Sequence, residues 1–84
     1  MSGGHFDYIQ YRFGEVVESI RALARDENYS TETRLSFIIG AVLLARAGVY
    51  VQRIDWLVCG DDGEESFHRR LREDLSKLEE ASDE

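Results

Sequence analysis

Apolar side chains recur at three- and four-residue steps along most of this chain, and nowhere do they alternate for long enough to suggest a strand. Ile9, Phe13, Val16, Ile20 and Leu23 mark one face of a first helix. Its start is predicted at Asp7. Asp7 and Gln10 have capping-box spacing, and Phe6 and Tyr11 stand at the flanking staple positions. Gly14 should weaken this helix by ~1 kcal/mol relative to alanine. Asp26, Glu27, Asn28 and Tyr29 read as a connection, and Ser30 as the N-cap of a second helix.

In that second helix Leu35, Ile38, Ile39, Val42, Leu43, Val49, Tyr50, Ile54 and Leu57 cover more than one stripe, the pattern of a central helix touched from two sides. It is predicted to run to Cys59 and stop at Gly60. Gly40, Ala41, Ala45, Ala47 and Gly48 permit a close crossing, with Gly48 as a candidate kink. A third helix follows, capped by Asp61 or Asp62 with Glu64 or Glu65 three positions on. Its apolar seam, Phe67, Leu71, Leu75 and Leu78, is narrow. Residues 81–84 should fray. The expected fold is all-α: one domain over 1–84, three helices at about 7–26, 31–59 and 62–80, and a long central spine. The third helix packs on its own chain or on a second copy.

Composition narrows the setting. With 43% apolar and 11% aromatic residues the chain has enough material for a core. A single cysteine, Cys59, excludes an intramolecular disulfide, and no signal-like core stands near the N-terminus, so a reducing cytoplasm is expected. The most apolar run, Leu35 to Leu44, is shorter than the ~20 residues of a membrane span. The net charge of −7 is concentrated: residues 61–84 hold ten acids and four bases. Phosphates are repelled by such a surface, so direct nucleic-acid binding is disfavoured and a basic protein partner favoured.

Asp61, Asp62, Glu64 and Glu65 fall within five residues. Acids in a first helical turn are each stabilised by ~0.3–1 kcal/mol, yet one cap and one acid would satisfy that role. The surplus makes these four the candidate partner-binding residues, with Asp26, Glu27 and Glu32 as a second patch. A long duplex mimic is excluded. Residues 62–80 as helix span ~28 Å, where duplex presents roughly 17 charges; this segment has seven acids and four bases. A local mimic of two or three phosphates fits.

Other chemistry is thin. His5 and His68 have no metal-ligand spacing, Cys59 has no nucleophile context, and no phosphate loop is present, so neither a metal, a cofactor nor an enzyme is expected. Arg53 and Trp56 share a helix side, and Asp55 is turned roughly 100° from Trp56. Arg12 or Arg46 could pair with Asp55. Trp56, Tyr8 and Tyr11 are aromatic anchor candidates, with Tyr50 beside them. A small-ligand site would need Arg12, Arg46 and Arg53 to converge.

Two stretches, GGHFDYIQYRFGEV at 3–16 and YVQRIDWLVCGDDGEESFHRRL at 50–71, resemble a group of small proteins of phages, prophages and other mobile elements. The blocks cover about 36 of the 84 residues. The resemblance implies a setting and carries over no catalytic residue. In that setting, short acidic cofactor-free helical proteins include inhibitors of host defence such as anti-CRISPR proteins, several of which use carboxylates to occupy basic DNA-recognition surfaces. The expectation is therefore an interaction protein that binds a CRISPR effector complex and blocks DNA access. The alternative is a homo-oligomeric helical accessory module, homodimer included, whose acids are its solvated face.

Overall fold

The computed structural model of the chain describes residues 9–60 and 62–82, with side chains as far as Glu79. Three helices follow one another: α1 (Ile9–Leu23), α2 (Thr31–Val58) and α3 (Glu64–Ser82). The all-α three-helix arrangement with a long central helix is thus as the hydrophobic pattern requires. Asp7 and Tyr8, the expected start, lie outside the described residues, as do 83 and 84 of the tail. Ala81 and Ser82, expected to fray, continue α3.

The breaks between helices have local causes. Ser30 sits in extended backbone (φ −64°, ψ 159°), and its Oγ accepts the Thr33 N–H at 3.2 Å, which satisfies one of the unpaired donors at the start of α2. Asp26 folds the connection by accepting the Asn28 N–H at 2.9 Å. Arg34 Nε donates to the Ala24 carbonyl at 2.8 Å, tying the end of α1 to the first turns of α2. At the other end Gly60 takes φ +89°, and its N–H donates to the Leu57 carbonyl. That left-handed residue stops α2.

Among the described residues α1 and α3 each pack on α2 and not on one another. The molecule is a slab, 46 × 25 × 13 Å in its principal extents. Val17, Ala24 and Ala41 are its buried apolar side chains. Phe67, Leu71, Leu75 and Leu78 are each half-buried, which fits the narrow seam of α3.

The inner face of α1 is rotated from the expected one. Gln10, Val17 and Ala24 are buried, seven residues apart, while Val16 is 47% exposed. Gln10 was expected to reach back to the helix start; its amide turns inward instead. On α2, Gly48 marks no break, since the helix is continuous. A Cβ there would meet Phe13 of α1 at 3.7 Å, so Gly48 lies where the two helices cross.

Length and composition alone would let α2 cross a bilayer, and little of its apolar stretch is buried. The apolar run read as too short continues, in one helix, through Ala45–Val58.

Two glycines should respond oppositely to alanine. Nothing lies within 4 Å of a Cβ added at Gly14, so Gly14→Ala should raise stability by ~0.5–1 kcal/mol. Gly60→Ala should lower it by about 1 kcal/mol, because a left-handed conformation is costly for any residue with a Cβ. Urea unfolding of the two variants measures both.

Candidate interaction site

The second half of α2 carries the polar chemistry. Asp55 is fully buried on its α1 side. Gln10 Nε2 donates to Asp55 Oδ2 at 3.2 Å and to Gln52 Oε1 at 2.9 Å, and the Cys59 thiol reaches Asp55 Oδ1 at 3.5 Å. The arginines proposed for Asp55 are used elsewhere or lie open to solvent. Arg46 pairs with Glu79 on α3 at 3.6 Å, and Arg12 is exposed. Polar groups are buried at this cost only when they are hydrogen-bonded, and the Gln10 amide supplies that bond from a position the apolar pattern passes over.

On the α3 side Arg53 is the hub. Its Nε donates to Asp74 Oδ2 at 2.7 Å, its guanidinium carbon lies 4.7 Å from the Trp56 ring centroid, and its Nη1 faces Asp62 Oδ2 at 3.9 Å. The last contact is an ion pair and not a hydrogen bond; both atoms are buried. Arg70 Nη1 donates to Asp62 Oδ1 at 3.0 Å. The Asp62 side chain is thereby only 2% exposed, between two arginines from two helices.

This placement corrects the reading of the acidic run. Asp62 neither opens α3 nor faces outward; α3 begins at Glu64, directly after Gly63, and the Asp62 carboxylate is neutralised within the chain. Glu64 and Glu65 are exposed on the first turn of α3. Asp61 lies outside the described residues. The second patch, half-buried Asp26 with exposed Glu27 and Glu32, sits at the opposite end of α2. A 28-residue helix separates the two groups by ~42 Å, too far for one small contact.

The aromatic candidates also divide. Trp56 is half-buried under Arg53, Tyr11 is 59% exposed, and Tyr8 lies outside the described residues. His68 stacks edge-on against Phe67, with centroids 5.0 Å apart. Among the described residues no group of three or more potential metal ligands comes together. Arg12, Arg46 and Arg53 do not share partners. Between α1 and α3 an open groove of about 390 Å³ runs over Phe13, Gly48 and Leu78.

A surface that no sequence motif flagged lies on the back of α2. Ile39 and Leu43 are each 60% exposed, Val58 53%, Tyr50 45% and Ile54 36%. The signal was present in the breadth of the apolar arc, which exceeds what two neighbouring helices cover.

The chain matches no family model, no curated protein and no solved structure.

The two arginines on Asp62 should differ in weight. Arg53 is 13% exposed and Arg70 44%. Arg53→Ala removes the hydrogen bond to Asp74 and leaves the buried Asp62 side chain with Arg70 alone, and should cost about 3 kcal/mol. Arg70→Ala should cost less, about 1–2 kcal/mol: its guanidinium is largely solvated, but the substitution removes the hydrogen bond to the buried Asp62 Oδ1. Denaturant midpoints at constant slope separate the two.

Proposed function

We propose that this chain is a non-catalytic binding protein of a mobile element that docks on a basic, DNA-recognising surface of a host defence complex, such as a CRISPR effector, and obstructs DNA access. The single observation that supports this reading most is the pair Glu64 and Glu65, exposed at the start of α3 while their neighbour Asp62 anchors the preceding turn. The anchored turn means the free carboxylates are presented from a fixed position, which lowers the ordering cost of binding. The net charge of −7 steers such a chain toward positive surfaces.

The proposed contact set is narrower than the one the sequence offers. Asp62 has a structural task, and Asp26, Glu27 and Glu32 are too distant to share the same contact. Glu64 and Glu65 remain, with Asp61 adjacent in sequence. The resemblance to proteins of mobile elements supplies the setting from which the target class is proposed.

A second reading, a homo-oligomeric helical accessory module, is favoured by the uncovered apolar stripe on α2. The two readings separate in one experiment. Purified effector–guide complexes of several classes are assayed for target-DNA binding with the protein added. The proposal expects inhibition by at least one class, lost on Glu64→Lys with Glu65→Lys and weakened steeply as salt shortens the screening length from ~10 Å at 0.1 M to ~3 Å at 1 M. No inhibition of any class, or inhibition indifferent to both substitutions, overturns it.

A further inference from the structure

We propose that the back of α2 is the interface of a two-fold homodimer in which the long helices of two copies lie antiparallel. The inference is independent of the defence-target reading.

The surface is a defined stripe. At 100° per residue, Ile39, Leu43, Ala47, Tyr50, Ile54 and Val58 fall within an arc of about 100°. The line that faces α1, Ala41, Gly48 and Asp55, lies about 130° from the centre of that arc. Five of the six stripe residues are exposed large hydrophobics and Ala47 is half-buried. Neither α1 nor α3 covers them. A helical domain ordinarily packs in at least two layers around one core; a slab 13 Å thick is one layer.

The area fits a second copy. A monomer of 9.7 kDa is expected to expose ~5,100 Å². This chain exposes 6134 Å², an excess of ~1,000 Å² over that scaling. A stable dimer needs ~800 Å² from each partner. The exposed side chains of the stripe contribute to that excess, which is of the order that one isologous contact removes.

The register points to this chain itself as the partner. A two-fold axis relates residue i of one copy to residue j of the other and j to i. Reversed about the point between Gly48 and Val49, the stripe maps onto itself: Ile39 meets Val58, Leu43 meets Ile54, and Ala47 meets Tyr50. Each pair joins two apolar residues, and the smallest side chain is set against the largest. An unrelated partner would impose no such symmetry. Antiparallel α2 helices also place opposite ends of their dipoles side by side. The stripe ends near acids, Glu32 before Ile39 and Glu64 and Glu65 beyond Val58. These like charges approach in the dimer, so added salt should tighten it, opposite to binding of a basic partner.

Sedimentation equilibrium of the full chain tests the state, and cross-linking tests the geometry. The expected result is a dimer that tightens between 0.1 and 0.5 M salt. Leu43→Glu should weaken it at least about thirtyfold, as for a central interface residue repeated twice. Circular dichroism should show unchanged helicity, since Leu43 is 60% exposed. In a Cys59→Ser background, a mixture of Leu43→Cys and Ile54→Cys chains should form a heterotypic disulfide, and Leu43→Cys alone should not. A chain monomeric at ~100 μM would overturn the proposal. So would a Leu43→Cys self-disulfide, which reports parallel helices, or a dimer indifferent to Leu43→Glu. Co-sedimentation with phosphatidylcholine vesicles that Leu43→Glu abolishes would assign the stripe to lipid and equally overturn it.

Discussion

The fold depends on a single constraint: among the described residues, α1 and α3 both pack on α2 and not on one another. Two faces of one helix must therefore hold the whole slab, and each uses a different chemistry. The α1 face is small and close, with Phe13 lying against Gly48 and the Gln10 amide reaching Asp55. The α3 face is charged, centred on Arg53, and its apolar seam is narrow. A small residue at a crossing brings backbones near enough for a short polar side chain to span the gap, so the buried Asp55 and the glycine belong to one arrangement.

Arg53 turns an acidic turn into a structural element. The guanidinium is planar and offers several donors, so one side chain serves Asp74 in α3, Asp62 in the connection and the Trp56 face in its own helix. Buried ion pairs contribute little net stability, since desolvation offsets the attraction. What such a pair supplies is direction. The chain leaving Gly60 is held so that α3 returns along α2, and the angle of that return fixes where Glu64 and Glu65 stand. An acid that looks available in the sequence is thus consumed in positioning its neighbours.

Two surfaces are left for work outside the chain, and they differ in physics. The acidic start of α3 would act at a distance, screened by salt. The stripe on α2 would act by contact, insensitive to screening except at its ends. They lie on separate elements, and in a homodimer through α2 the start of α3 would stand at the edge of the interface in each copy. Such an assembly presents two acidic sites related by a two-fold axis, and paired sites raise effective concentration on any target with repeated basic surfaces.

How much of this was legible before folding follows from the range of each interaction. Three helices, the Ser30 cap and the Gly60 stop are written in residues within a turn of one another, and local hydrogen bonding and φ preference decide them. The shared side of Arg53 and Trp56 is likewise a matter of three-residue spacing. The breadth of the apolar arc on α2 also stood in the sequence, though not which part of it stays uncovered. Tertiary structure alone decided that Gln10 would be buried with Val17 and Ala24, that Asp55 would take an amide rather than an arginine, and that Asp62 would be clamped. Each of these pairs residues eight to forty-five positions apart. The composition of either partner is silent about the other until helix packing brings them together.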